Sequence, residues 1–358
     1  MNRRGSTRRT NDQGDPQAAG YEAVAVPGLE DFATDEIQLL GARVRRTSRE
    51  GRLAVHYEGT FERFSRLRSV LAVYAVQQID AARPSALLGH ENFTALARLA
   101  GAIVNRAPDA FETLRISAAG SDSAVLRRLR SDLASTLDLR ATSEAANLEL
   151  ALRRKNGYGW ELLVRLTPMP LSARAWRVCN YPGALNATVA YAMVELTNPT
   201  PSDVFVNACC GSGTFLAERL AIMPARSAIG FDINSEALAC ARENLRFLPD
   251  VPVELSVADA GALPLADSSA AAVVADPPFA MLQGTSEANR SLYAAIFREA
   301  ARVLRSDGVF AIVSTQKRLL GEVIATQADN WSPLPTLEVK LPFERGYITP
   351  VIHVLRRR

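Results

Sequence analysis

The 358-residue chain is poor in several residue types, and each scarcity excludes something. It has four cysteines, Cys179, Cys209, Cys210 and Cys240, with no CxxC spacing, and three histidines. That argues against a zinc site and against a disulfide framework, so no metal is expected. It fits small buried thiols in a reducing, cytoplasmic compartment. No stretch approaches the roughly eighteen consecutive apolar residues of a membrane span, so no membrane partner is expected. The opening MNRRGSTRRTNDQGDPQAAG lacks the apolar core of a signal peptide, and Asp12 and Asp15 suit a transit peptide poorly. Residues 1–20 are expected to form a disordered, solvated tail.

What is present supports a folded chain. The hydrophobic fraction is 48%, enough for real cores, and the length suits two or three domains. Net charge is +3 but unevenly spread. Residues 81–180 hold 14 Lys+Arg against 9 Asp+Glu, whereas residues 181–358 hold 15 against 18. A basic middle and a mildly acidic last half point to a division of labour between polyanion binding and chemistry.

Residues 21–80 read as βαββαβ, the order of a ferredoxin-like domain. YEAVAV, ARVRRTS, RLAVHYE and VLAVYAVQQI are the strands; LEDFATDEIQLLG and TFERFSRLRS are the helices. Residues 81–170 form a second unit. SDSAVLRRLRSDLASTL sets Leu126, Leu129, Leu133 and Leu137 on one helical stripe, with Arg127, Arg128 and Arg130 largely off it. NLELALRRKNGYGWELLVRL is a hairpin turning at Asn156-Gly157, with Arg153, Arg154 and Lys155 at its tip. Two basic clusters beside Tyr158 and Trp160 make this unit a candidate nucleic-acid surface, against the alternative of a solvated charged face. Residues 171–184, with Pro168 and Pro170 just before them and Pro182 within, read as a linker carrying two further arginines, Arg174 and Arg177, as candidate nucleic-acid contacts.

From residue 185 helices and strands alternate to the chain end, the pattern of a mostly parallel sheet covered on both faces. VFVNACCGSGTFLAERL is a strand, a glycine turn and a helix. Gly211 and Gly213 allow close backbone approach to a ligand at a helix N-terminus. A dinucleotide fingerprint wants a third glycine where Leu216 stands, which disfavours NAD. Asp232 ends the next strand, Asp259 follows the third and Asp276 the fourth. One such aspartate is an ordinary cap or turn former. Several at successive strand ends beside a glycine loop point to a ligand.

This pattern resembles the class I S-adenosylmethionine-dependent methyltransferases. The resemblance implies a Rossmann-like, mostly parallel seven-stranded sheet over residues 185–358, and S-adenosylmethionine as cofactor. It places the methionine part against Asn207, Cys210, Gly211, Gly213 and Thr214. The ribose hydroxyls fall to Asp232 with Ile233 beside it, and the adenine amine to Asp259 with Ala260. Asn207 stands where the family often has an acid, so it meets the cofactor's ammonium without charge.

The stretch VVADPPFA carries the transfer chemistry. Proline cannot continue a sheet ladder, so the strand stops at Asp276. An exocyclic nucleobase amine is a poor nucleophile, helped by two acceptors that take its hydrogens. Asp276 and the Pro277 carbonyl supply them, Pro278 stiffens the turn, and Phe279 offers a stacking face. The motif resembles the [DN]PP[YFW] signature of amino-methylating enzymes. FETLRISAAGSDSAVLRRLRSDLASTL, the hairpin and VRLTPMPLSARAWR resemble a THUMP RNA-binding domain. NYPGALNATVAYAMVEL resembles the helix before the glycine loop in THUMP-linked guanine-N2 methyltransferases, which sets Asn186 and Thr188 near the cofactor. Taken together, the resemblance implies methylation of a guanosine N2 in RNA, with tRNA first and rRNA second as substrate. Adenine-N6 methylation stays open as an alternative. So does an RNA-binding protein with a decayed methyltransferase domain, on the strength of Asn207 and of Ala280 in place of the family's glycine.

Overall fold

The computed structural model describes residues 20–358 except 121, 156, 247, 249–251, 278–285, 344 and 345. The expected tail therefore falls almost wholly outside the described residues, as do Asn156, Pro278, Phe279 and Ala280.

The N-terminal sheet comprises β1 (Gly20–Ala25), β2 (Arg43–Arg46), β3 (Arg52–His56), β4 (Val70–Ile79), β5 (Thr113–Ser117), β6 (Arg140–Ala141), β7 (Leu148–Arg154) and β8 (Trp160–Arg165). Its order is β2-β3-β1-β4-β8-β7-β5-β6. The break expected at residue 80 is not a break in this sheet, because β4 pairs antiparallel with β8 from Tyr74↔Arg165 to Ile79↔Trp160. One apolar core runs beneath both segments, from Ile37 and Phe64 to Leu129, Leu150 and Val164. Helices α1 (Glu30–Leu39), α2 (His90–Val104) and α3 (Ala124–Thr136) add their buried faces to it. The alternation of β7, with Leu148, Leu150 and Leu152 buried, turns its other residues to the opposite, open face. The second helix expected in the first segment is only a 3-10 turn, Phe61–Arg66, which tucks Phe61 and Phe64 into the core.

The C-terminal elements are α4 (Ala187–Glu195), β9 (Val204–Asn207), α5 (Thr214–Ile222), β10 (Ser227–Asp232), α6 (Ser235–Leu245), β11 (Val253–Val257), β12 (Ala270–Ala275), α7 (Ser286–Val303), β13 (Leu304–Ser314) and α8 (Lys317–Thr326). The short β14 (Trp331–Pro333), β15 (Leu337–Glu338), β16 (Leu341–Phe343) and β17 (Gly346–Ile348) lead to β18 (Val351–Arg357). The chain thus ends in five strands where two were expected. The main order is β11-β10-β9-β12-β13-β18-β14, with β9 to β13 parallel and β18 antiparallel to β13. This is the expected mostly parallel sheet, with an eighth strand where seven were expected, because β15 also pairs antiparallel with β18. β12 is buried at all six positions, as a central strand covered on both faces must be. Val274 faces the core shared with α4 and α5, and Val273 the core shared with α7 and α8. Among the described residues no helix is long and apolar enough to cross a membrane.

The two halves are docked at two places. Val26 and Leu29 pack in the C-terminal core, and the Lys340 amide donates to the Pro27 carbonyl (3.0 Å). Gly28 lies at φ +96°, and a Cβ there would sit 2.0 Å from the Glu338 carbonyl oxygen, so only glycine permits this contact. The second place is Glu218 on α5, a wholly buried carboxylate. It accepts from Arg68 Nε (3.0 Å) in the N-terminal half, and from Arg174 Nε (2.9 Å) and Trp176 Nε1 (3.2 Å) in the segment expected to be a linker.

That segment is a strap, not a free linker, and two expectations are corrected with it. Arg174 cannot serve as an RNA contact: it is 8% exposed, and Glu218 and the Arg68 and Leu171 carbonyls occupy its guanidinium. Cys179 and Cys240 are not separate buried thiols but a disulfide, linking the strap to α6. This removes the premise that cysteine usage offered for a reducing compartment.

Breaking a buried ion pair from one side leaves the other charge uncompensated, at a cost of about 3–5 kcal/mol. Glu218→Ala should therefore destabilise the chain by about 3 kcal/mol or more in urea unfolding. A loss below about 1 kcal/mol would show that Glu218 does not hold the halves together.

Candidate active site

The parallel register brings the carboxyl ends of four strands to one edge. Asn207 lies between Val274 and Gly230, and Asp232 stands beside Val257. Asp259 follows β11 and Asp276 follows β12 directly. The glycine loop closes over β9: the Cys210 amide donates to the Phe231 carbonyl (2.7 Å) and the Gly213 amide to the Cys210 carbonyl (2.9 Å). Gly211 and Gly213 both take positive φ, +51° and +82°. A Cβ on Gly213 would come 3.2 Å from that of Ala241, so the loop lies tight on α6.

Asp232 is held from both sides, its two oxygens accepting the amides of Gly211 (2.7 Å) and Asn234 (2.9 Å). Asn234 caps α6 through the Glu236 amide (2.8 Å) and donates to the Tyr181 hydroxyl of the strap (2.8 Å). Ile233, next to the acid, is 76% exposed, an apolar face in an otherwise polar rim. Asp259 is exposed and accepts the Gly261 amide (2.8 Å); Ala260 is buried behind it.

Asp276 is partly exposed, yet burial of its carboxyl pushes its pKa up to about 7. The Cys209 thiol is held protonated by burial first, then by the Asp232, Asp276 and Asp259 carboxylates, which places it among the three acids. Beneath Asp276 lies a pair that the sequence reading did not find: Tyr293 shares a hydrogen bond with Ser314 at the end of β13 (2.9 Å). Burial raises the Tyr293 phenol, and the Asp276 carboxylate adds to the effect.

The residues present fit an amino-acid-bearing nucleoside cofactor. Asn207 is wholly buried, and among the described residues neither its Oδ1 nor its Nδ2 has a partner. Thr188 is equally buried with an unpartnered Oγ1. Asn186 caps α4 by accepting the Thr188 amide (2.9 Å), so its carbonyl serves the helix. Orphaned buried polar groups are costly, and a bound polar ligand would satisfy them. Among the described residues no cluster of three or more His, Cys, Asp or Glu side chains is placed to hold a metal ion.

The strap supplies the positions that sequence reasoning missed. Asn244 on α6 accepts the Cys179 amide (2.8 Å) and donates to the Ser212 carbonyl of the glycine loop (3.0 Å). Arg177, expected to touch RNA, turns inward instead and donates from Nη2 to Thr214 Oγ1 (3.0 Å) and to the Leu185 carbonyl (3.0 Å). Its place is beneath the glycine loop because burial of Trp176 and Arg174 on either side of Ala175 draws the strap against α5.

The remaining basic candidates do not form one surface. Arg127 and Arg128 are exposed and Arg130 half-buried on α3, which packs on the inner face of the N-terminal sheet. Arg153 lies on the open face, paired with Glu22 (2.5 Å) and Glu161 (2.8 Å). Arg154 is exposed, and Lys155 donates to Gln78 (2.8 Å). A groove of about 610 Å³ crosses that open face, lined by Arg43, Arg45, Arg49, Arg153 and Lys155 among others.

Comparison with known proteins agrees with this geometry. Residues 174–345 match the family model described as UPF0020, RMKL-like, methyltransferase domain. The tRNA (guanine(6)-N(2))-methyltransferase THUMP3 of Bos taurus is 28% identical over 189 residues, 49% of this chain and 37% of that protein. The tRNA (guanine(10)-N2)-dimethyltransferase of Methanothermobacter thermautotrophicus is 30% identical over 135 residues, 37% of this chain and 39% of that protein. The chain thus spans well under half the length of these relatives. The crystal structure of TrmN from Thermus thermophilus superposes with a TM-score of 0.72 at 22% identity, covering 94% of this chain and 99% of that one. At that identity the likeness is one of fold. The family match opens at Arg174 and so takes in the strap, ahead of the expected domain start at residue 185. Residues 174–345 of the chain, strap included, are thus similar to the RMKL-like methyltransferase domains.

Proposed function

We propose that this chain transfers a methyl group from S-adenosylmethionine to the exocyclic N2 of a guanosine in RNA, with tRNA as the substrate class. The observation that carries the reading is Asp276, a desolvated carboxyl at a strand end, in register with a glycine loop and a braced Asp232. The names of the relatives, guanine-N2 methyltransferases acting on tRNA, support the choice of base.

When bound, S-adenosylmethionine supplies an electrophilic methyl. Asp232, already braced by two amides, accepts the ribose hydroxyls; Asp259 accepts the adenine amine, and Ile233 covers its ring. Asn207 and Thr188 meet the amino-acid end. Asp276 and the Pro277 carbonyl accept the hydrogens of the guanine amine and hold its nitrogen toward the methyl. Asp276 then takes the proton released. A carboxyl with a pKa near 7 suits that task better than an ordinary aspartate. Pro278 and Phe279 complete the turn and the stacking face in this reading. For the polyanion we infer two contacts: Arg127, Arg128 and Arg130 on α3, and the basic groove with Arg153, Arg154 and Lys155 beside it. Such contacts position the RNA backbone and weaken steeply with salt.

Incubating tRNA with the full chain and methyl-labelled cofactor should yield labelled N2-methylguanosine on nucleoside mass spectrometry. Label in N6-methyladenosine, or in no nucleoside, would end the proposal. Asp276→Ala should abolish transfer while leaving calorimetric binding of S-adenosylmethionine within about threefold, and Asp276→Asn should retain reduced activity.

The raised pKa has two consequences with definite signs. In the unfolded chain Asp276 ionises near its ordinary value of about 4; in the folded protein it ionises at about 7. Between these values the unfolded state binds fewer protons, so the group lowers stability as pH rises from about 4 to about 7. Asp276→Asn should therefore be more stable than the parent at pH 8, with the gap closing toward pH 4 in urea unfolding. Transfer needs the ionised form, so its rate should rise through about pH 7 in the parent. A stability gap that is constant with pH would show that this carboxyl is not desolvated.

A further inference from the structure

Arg177 occupies an unusual place for a cation. Its Nη2 bridges the Leu185 carbonyl, one residue before the cap of α4, and the hydroxyl of Thr214, the first residue of α5. The guanidinium thus sits at the N-termini of two nine-residue helices, both positive ends of the backbone dipole. Its Nε is buried without a partner. Among the described residues no carboxylate pairs with it. The nearest one, Glu218, is already engaged by Arg68, Arg174 and Trp176. Burial accordingly pulls the guanidinium below its usual value. A cation, two helix N-termini and a surplus of arginine over carboxylate leave one local deficit, an anion.

Two further buried polar groups lie on the elements that adjoin this place, the first turn of α4 and the strand that leads into the glycine loop. Thr188, in the first turn of α4, is wholly buried with an unpartnered Oγ1. Asn207, at the end of β9 where the glycine loop begins, is wholly buried with both amide atoms unpartnered. Neither carries charge. Resting on the cofactor part of the proposed function, we infer that Arg177 is the anchor for the carboxylate of the methionine part of S-adenosylmethionine, with Thr188 Oγ1 as a second donor. The tail of the cofactor is a zwitterion. Where Asn207 gives its ammonium only a neutral partner, Arg177 gives its carboxylate a charged one, and the charge recognition moves from one end of the zwitterion to the other. Arg177 belongs to the cofactor site and not to the RNA surface.

The test compares two ligands by titration calorimetry on the full chain. S-adenosylhomocysteine carries the carboxylate; S-adenosyl-3-thiopropylamine is the same thioether with the amine kept and the carboxylate removed. The parent should prefer the first by roughly 10- to 100-fold, the range for hydrogen bonds to a charged group. Arg177→Leu should bind both alike, near the parent's affinity for the decarboxylated compound, and Arg177→Lys should regain part of the preference. An Arg177→Leu variant that keeps the parent's preference overturns the inference. One that loses both ligands together overturns it too, since that marks a purely structural arginine. If the parent binds neither compound, the cofactor reading itself falls; if it binds both and Arg177→Leu behaves as the parent, only the anchor falls.

Discussion

A single buried carboxylate organises this molecule. Glu218 has no exposed surface, and desolvating such a charge is tolerable only if donors surround it. Its donors come from two stretches far apart in sequence, Arg68 from the N-terminal half and Arg174 and Trp176 from the strap, all meeting on the helix that follows the glycine loop. The requirement to satisfy one charge therefore fixes the strap against the helix of the glycine loop, and fixes the N-terminal half against the C-terminal one. Gly28 does the same work at the other end of the interface by permitting backbone contact with Glu338.

The strap explains why the site needs more than its sheet. The parallel strands align Asn207, Asp232, Asp259 and Asp276 at one edge, as such sheets align ligand-binding residues generally. They do not close the side toward α4. The strap lies there, bonding in turn to Thr214, to the glycine loop through Asn244, and to Asn234 beside Asp232. The Cys179–Cys240 bond ties it to α6 on the way. A loop with three such anchors and a buried tryptophan is part of the binding wall.

At the reacting end, desolvation matters more than any ion pair. Burial shifts Asp276, and among the described residues no cation offsets it. Apolar packing by β12 and its neighbours raises the basicity of Asp276, and the polar pair of Tyr293 and Ser314 lies close by. Open-face ion pairs in the N-terminal sheet, such as Arg153 with Glu22 and Glu161, have the opposite effect: they spend positive charge internally. The arginines left uncommitted on that face, Arg43, Arg45 and Arg49, were not singled out from the sequence, since a run of charge on an edge strand looks the same whether or not a groove lies beside it.

Local chemistry was readable from the sequence by itself. The run AAAVVA ending at Asp276-Pro277, the positive-φ glycines of CCGSGT and the acids one strand apart follow from backbone sterics and from period-two and 3.6 patterns, which need no knowledge of distant residues. Those features carried the parallel sheet, the strand-end site and the hairpin through to the structure. Tertiary structure decided the rest. An arginine near prolines reads as exposed until a buried glutamate forty-four residues away claims it, as Glu218 claims Arg174. Two cysteines sixty-one residues apart read as independent until the strap brings them together. A ferredoxin-like segment and its successor read as two domains until β4 finds β8 as its edge partner. Each is a pairing between groups with no periodic relation in the chain, settled by which buried polar group or open strand edge must be satisfied once the cores have formed.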